Sequence, residues 1–185
     1  MENWITERLI LRRYTLADAS VFSTFRSDPE LARLQSWHAP YTLEDATRAL
    51  THDGKLEFGV IDEWLQIAIE ERTLGVVIGD VAFCLHGPDR LSASIGYTLV
   101  RSYQGQGFAT EAVSELIRRL GAMGVTTVRA DCDVRNDSSI RLLTRLGFTQ
   151  LPGERTGVYK GETCQELDFE LALGYCSNWY YEPHI

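Results

Sequence analysis

The stretch Tyr103-Gln104-Gly105-Gln106-Gly107-Phe108-Ala109-Thr110-Glu111-Ala112 decides how the rest of this 185-residue chain is read. Two glycines two apart precede an apolar pattern: Ala109, Ala112, Val113, Leu116, Ile117 and Leu120 recur at helical spacing. Just upstream, residues 93–100 alternate like a strand. The unit is strand, glycine turn, helix. Such a turn leaves several backbone N–H groups pointing at one spot, and the helix N-terminus adds roughly half a positive charge. Both suit phosphate oxygens, although the turn alone fits equally a connection that binds nothing.

Beyond the helix, which should run over residues 107–123, residues 126–134 form a strand, so the pattern predicts a parallel crossover. Asn136-Asp137-Ser138-Ser139 then caps a second helix with Ile140, Leu143 and Leu146 on one face, stopped by Gly147. Residues 166–173, with Val158 and Tyr159, suggest a closing hairpin around Lys160-Gly161-Glu162. Toward the N-terminus, residues 8–14 read as a strand. Thr15-Leu16-Ala17-Asp18 resembles a capping box before a helix bearing Ala19, Phe22 and Phe25 or Arg26. Residues 30–37 form a short helix or irregular segment, and Thr42-Leu43-Glu44-Asp45 caps a helix reaching about Leu50. Residues 64–69 and 76–83 are strands of a meander, which suits an antiparallel sheet edge better than a doubly wound fold.

The totals fit one domain over residues 1–174 with a tail over 175–185 carrying Trp179, Tyr180 and Tyr181. That tail leaves two dockings open: on the domain, or on a partner such as a second copy in a homodimer. No apolar run approaches the roughly 20 residues of a membrane span, and Met1-Glu2-Asn3-Trp4 does not read as a signal peptide. A net charge of −8 disfavours nucleic acid and suits a cationic partner. The cysteines at 84, 132, 164 and 176 lack paired spacing, so free thiols in the cytoplasm are expected, and the scattered histidines support no metal site.

Gln104-x-x-Gly107-x-Ala109 resembles the Q/R-x-x-G-x-G/A acetyl-CoA motif of the GNAT acetyltransferases. Thr6-Glu7-Arg8-Leu9-Ile10-Leu11-Arg12, Ser27-Asp28-Pro29-Glu30, Ile95-Gly96-Tyr97, Ala109-Thr110-Glu111-Ala112, and Asn136-Asp137-Ser138-Ser139 with Leu146-Gly147-Phe148 resemble the RimJ/RimL-type branch in order and spacing. The resemblance implies an α+β fold: a mixed, mostly antiparallel sheet with a central splayed parallel pair, flanked by helices. It implies acetyl-CoA as co-substrate. The pyrophosphate would lie on the backbone of Gly105, Gln106, Gly107, Phe108, Ala109 and Thr110, behind Gln104. The pantetheine would lie along Leu99, Val100 and Arg101 and bond to Asn136. The implied reaction is direct acetyl transfer to a primary amine, a protein N-terminal α-amine first. The alternatives are a small cationic amine, such as a polyamine or aminoglycoside, and a non-catalytic coenzyme A sensor.

The resemblance implies Ser139 as the acid that reprotonates the thiolate, because Leu143 stands where many relatives carry a tyrosine. Tyr97 is placed near the acyl carbonyl, and the oxyanion donor is a backbone N–H near Leu99. Ser94 occupies a position where the branch commonly has a carboxylate, leaving Asp80 as the nearest candidate base; read bottom-up, Asp80 is a solvated strand residue. Glu111 should favour the helix N-terminus electrostatically. Cys132 reads as an inert core thiol. The acceptor should bind between the N-terminal helices and the closing hairpin, with Trp37, Tyr41 and Tyr159 as lining residues.

Overall fold

A computed structural model describes residues 1–174, with the Tyr159 side chain excepted. The aromatic tail, Cys176 and His184 lie outside the described residues, as does Tyr159 as a lining side chain. Nine strands form one sheet: β1 (Trp4–Ile5), β2 (Leu9–Arg13), β3 (Leu65–Glu71), β4 (Val76–His86), β5 (Ser92–Leu99), β6 (Thr127–Asp133), β7 (Thr149–Gln150), β8 (Arg155–Tyr159) and β9 (Glu162–Ala172). Their order is β1-β2-β3-β4-β5-β6-β9-β7, with β8 also on β9. Among the described residues five α-helices accompany them: α1 (Ala19–Arg26), α2 (Pro29–Ala32), α3 (Leu43–Asp53), α4 (Phe108–Ala122) and α5 (Asp137–Arg145).

Every paired neighbour among these strands is antiparallel except β5 and β6. The parallel pairing is short. It covers Ser92↔Thr127, Ala93↔Val128 and Ser94↔Arg129 and then stops. Yet β5 stays paired with β4 out to Leu99, and β6 stays paired with β9 through Asp133. The strands therefore part beyond Ser94, and residues 95–99 face residues 130–133 across a gap. Backbone N–H and C=O groups on both edges must find partners outside the sheet. This is the splayed pair that the resemblance implies.

Two cores lie on the two faces. Leu9, Leu11, Ile67, Ile69, Val81, Phe83, Ile95 and Leu99 pack against Ala112, Val113, Leu116 and Leu120 of α4. On the other face Ala68 and Val77 pack beneath Phe22 and Phe25 of α1 and Ala46 and Leu50 of α3, with Tyr14 alongside. Burial on both faces explains the near-continuous apolar run of β4, where strict alternation is absent. Both expected capping boxes form: Asp18 accepts from the Thr15 N–H at 2.8 Å, and Asp45 pairs with Thr42. Asp18 also takes both terminal nitrogens of Arg12 at 2.9 Å, tying β2 to the turn before α1.

Several boundaries differ from the sequence reading. Helix α3 runs on to Asp53, and α2 is a single turn that ends at Ala32. Trp64 precedes β3, is 47% exposed and stands against Gly96. Val100 lies past β5 and donates its N–H to the Ile78 carbonyl at 2.8 Å. The closing hairpin is longer than expected in both strands, and β1 and β7 were not expected at all. Two-residue strands carry no periodic signal; they exist because a neighbouring edge is available to pair with.

Candidate active site

The glycine turn is built as its sequence suggests and is pinned from outside. Gly105 and Gly107 have φ of 74° and 84°, a region open to glycine at little cost. Gln104 Nε2 donates to the Leu99 carbonyl at 2.8 Å, fixing the turn to the end of β5. Glu111 does more than favour the helix end. Its Oε1 accepts from Thr6 Oγ1 at 2.6 Å and from the Arg8 N–H at 2.8 Å, and its Oε2 pairs with Arg8 Nε at 2.7 Å. Arg8 Nη1 in turn donates to the Gln106 carbonyl at 2.9 Å. Burial pushes the Glu111 carboxyl up, but these bonds outweigh it and hold the group below its usual range. The first N–H groups of α4, at Phe108, Ala109 and Thr110, have no intrahelical partner and face outward as a set.

A cavity of about 610 Å³ runs from this turn along the parted end of β5 to the start of α5, with residues 30–35 on its other side. Leu99, Arg101, Gln104, Gly105, Gly107, Ala109, Thr110, Asn136 and Ser139 of the expected cofactor set line it, as does Tyr97. Val100, Gln106 and Phe108 do not. Val100 faces a second cavity on the α1 side, Gln106 turns its amide back to the Ser102 carbonyl, and Phe108 is buried beneath Arg8 and Tyr103. Side chains of Gln106 and Phe108 are thus structural, which leaves their backbone N–H groups for any anion.

Beside the expected Arg101, the lining contains arginines the sequence reading missed, Arg33, Arg135, Arg141 and Arg145, against the acidic Glu30 and Asp137. Only Arg101 had been singled out. In a chain of net charge −8 this local excess of arginine is a feature of the cavity itself. It suits a polyanion. Arg135 is held by Asp133 at 2.6 Å, whereas Arg145 reaches across to Thr110 Oγ1 at 3.4 Å. No spacing in the sequence brings 33, 101 and 145 together; the sheet order does.

Asn136 is the N-cap of α5, and its side-chain oxygen accepts from the Ser139 N–H at 3.2 Å. Its amide NH₂ remains available to the cavity. Asn136→Ala is therefore expected to lower stability by about 1 kcal/mol and to weaken binding of a ligand in the cavity; urea unfolding and ligand titration separate the two effects. Ser139 is half-buried and lies within interaction range of the Tyr97 phenol. Burial pushes Tyr97 well above the usual phenol range, so the ring keeps its proton at any ordinary pH. Leu143 is fully buried in the core, so the helix face it occupies does not reach the cavity. Burial also raises the Cys132 thiol to about 12, in keeping with an inert thiol.

Asp80 corrects the sequence reading. It is not solvated: it is 3% exposed, and Arg26 Nη2 approaches its Oδ2 at 3.2 Å while Tyr14 Oη donates at 3.4 Å. Burial pushes its carboxyl up, against the pull of Arg26. Asp80 is absent from the lining of the large cavity, and a base at this position would have to work from inside an ion pair. Trp37 and Tyr41 likewise serve the ion pair. They flank the Arg26 guanidinium at 4.2 and 5.6 Å from their ring centroids, and Phe22 lies 4.2 Å away on another side. The N-terminal helices and the closing hairpin, between which the acceptor was expected, touch where Lys160 Nζ donates to the Ala32 carbonyl at 2.5 Å.

The comparisons with known proteins agree with this architecture. Residues 8–149 match the model of the acetyltransferase (GNAT) domain. The chain is 33% identical over 154 residues, 80% of its length and 83% of the relative's, to the uncharacterized N-acetyltransferase p20 of Bacillus licheniformis. Among solved structures, the RimL ribosomal L7/L12 alpha-N-protein acetyltransferase in complex with coenzyme A superposes with a TM-score of 0.80 at 19% identity. That superposition covers 93% of this chain and 98% of that one. The microcin C7 self-immunity acetyltransferase MccE, in complex with acetyl-CoA and AMP, gives a TM-score of 0.77 at 20% identity, covering 91% and 94%. The family match extends from the strand that anchors the glycine turn, through the splayed pair, to the end of α5: this chain belongs to the GNAT acetyltransferase family and is an acyltransferase.

Proposed function

We propose that the protein transfers the acetyl group of acetyl-CoA directly to a primary amine, a protein N-terminal α-amine first. The observation that carries this reading is the parting of β5 from β6 after Ser94↔Arg129, with the free N–H groups of α4 at its open end. An extended pantetheine arm can satisfy the strand edges as a further strand would, while its pyrophosphate meets the turn and the arginines. Both solved structures described above bear coenzyme A or its acetyl form, and one is an acetyltransferase of a protein α-amine. The cytoplasm, where free thiols persist, is the proposed location.

In this reading a backbone N–H near Leu99 stabilises the oxyanion, and Ser139 with Tyr97 donates to the departing sulfur. No cysteine is acylated. Ser139→Ala is expected to lower kcat about tenfold with little change in the acetyl-CoA KM, and Tyr97→Phe to act in the same direction. Both follow from loss of a donor that matters only as charge develops. An unchanged kcat across pH 6–9 would reject the serine as donor.

A small cationic amine is the second reading, favoured by the overall charge of −8. The test incubates the protein with acetyl-CoA and an equimolar mixture of N-terminal peptides, polyamines and aminoglycosides, following free thiol and product masses. Acetylated peptide α-amine supports the first reading, and acetylated small amine replaces it with the second. Tight binding of acetyl-CoA without thiol release would make the protein a coenzyme A sensor.

A further inference from the structure

The arginines that line the large cavity fall into two groups. Arg33 and Arg135 each have a carboxylate partner, Glu30 at 3.8 Å and Asp133 at 2.6 Å. Among the described residues, Arg101, Arg141 and Arg145 have no carboxylate within salt-bridge distance, although each lines the same cavity. Arg101 belongs to the end of β5 already given to the donor. Arg141 and Arg145 stand one turn apart on α5, a spacing that sets two side chains on one face with Cβ atoms about 5–6 Å apart. Arg145 Nη1 lies 3.4 Å from Thr110 Oγ1, so this face of α5 meets the first turn of α4. An exposed arginine is ordinarily a solvated surface charge, and Arg145 in the last turn also suits the helix dipole. Neither accounts for two guanidiniums without a counter-charge on one cavity wall of a chain of net charge −8.

The order of groups in acetyl-CoA sets what this end of the cavity meets. Thioester, pantetheine, pyrophosphate and adenosine ribose follow in line, and the ribose carries a 3′-phosphate. Asn136 stands at the pantetheine end of the seat proposed above. The helical rise of about 1.5 Å per residue covers roughly 13 Å from Asn136 to Arg145, and the contact with Thr110 brings Arg145 level with the glycine turn. The pyrophosphate already has the N–H groups of residues 105–110, donors that carry no formal charge. The 3′-phosphate, one ribose further on, differs in kind. As a monoester it carries about −1.5 to −2 at pH 7 and offers three strong acceptor oxygens. Two guanidinium forks match it in charge and in donors.

We propose that Arg141 and Arg145 together clamp the 3′-phosphate of acetyl-CoA, and that this pair makes the protein discriminate coenzyme A from its 3′-dephospho form. The proposal rests on the acetyl-CoA seat described above. Arg145 is drawn toward α4 by Thr110, and Arg141 extends the same face of α5 by one turn. Asp137 begins α5 about two turns before Arg145, so its charge lies toward the other end of the helix. The clamp makes and breaks no covalent bond. It raises affinity for the donor and leaves the reacting atoms alone.

The test titrates the full chain with acetyl-CoA and with 3′-dephospho-acetyl-CoA in a calorimeter. It compares the wild type with Arg141→Ala, Arg145→Ala, the double variant and Arg118→Ala. Arg118 pairs with Glu115 at 2.7 Å and is absent from the cavity lining, so its variant removes one cation without touching the clamp. The wild type should bind acetyl-CoA at least about tenfold more tightly than the dephospho form, as charge-assisted bonds to one phosphate imply. Each single variant should lose part of that preference, and the double variant should bind the two forms within about twofold of each other. Affinity for the dephospho form should change by less than about twofold throughout, which also reports that each variant is folded. Arg118→Ala should keep the full preference. Equal binding of the two forms by the wild type would overturn the clamp while acetyl-CoA binding stands. So would an equal loss for both forms in the double variant, which would give the arginines to the pyrophosphate. A matching fall of preference in Arg118→Ala would overturn it in favour of overall charge. If the wild type binds neither form, the seat itself falls.

Discussion

Gly79→Ala should be the most damaging single-methyl change in the sheet. Gly79 lies opposite Leu99, with φ of 157°, and a Cβ built there would stand 2.2 Å from the Thr98 carbonyl oxygen and 2.9 Å from Leu99 Cα. Both obstacles are backbone, so no rotamer change relieves them. The strand must move, and the part that moves is the end of β5 that borders the gap. Overpacking and backbone strain together suggest a loss of about 4 kcal/mol, a large share of the 5–15 kcal/mol typical of a domain. Gly75→Ala is the control. It too has positive φ, 66°, but nothing lies within 4 Å of its Cβ position. Its expected loss is about 1 kcal/mol. Urea midpoints of the two variants read the difference directly; equal midpoints would mean that β4 and β5 are not pressed together at Gly79.

Arg26→Ala should rank next, with a loss that depends on pH. The side chains of Arg26 and Asp80 are 11% and 4% exposed, so removing the cation leaves a carboxylate among Tyr14, Thr98 and apolar neighbours. Breaking one side of a buried pair typically costs about 3–5 kcal/mol, and the loss of Arg26 from its aromatic surround adds to it. Burial already pushes Asp80 up in the wild type, against the pull of Arg26, and without Arg26 the carboxyl rises further. A carboxyl whose folded pKa exceeds its unfolded value favours the folded state below the unfolded pKa. That advantage is lost as pH rises through the folded pKa. The variant should therefore be closer to wild-type stability at pH 5 than at pH 8, by urea unfolding at both. A deficit independent of pH would show that the aromatic packing of Arg26, and not its charge, is what stabilises this region.

What could be read from the sequence was what local chemistry dictates. Gly105 and Gly107 announce a turn with positive φ, Asn136 announces a cap, and the crossover over residues 93–134 follows from the length and period of its parts. Asp80 was misread because alternation along a strand reports one face against the other, not what covers each face. Once α1 lies on the sheet, a polar position on its side is as buried as an apolar one, and Arg26 is there to meet the charge. The arginines of the cavity come from residues 33, 101, 135, 141 and 145, and only the fold brings them to one wall.

The gap between β5 and β6, closed at one end by the glycine turn, is our proposed seat of the acetyl donor. Calorimetric titration of the intact protein with acetyl-CoA tests it most directly, alongside a Gly107→Val variant whose positive φ and Cβ, 3.4 Å from Arg8, disturb the turn while leaving the strands intact. One molecule should bind per chain to the wild type, with affinity falling at least tenfold in the variant. Undiminished binding to Gly107→Val, or no binding to the wild type, would contradict the account.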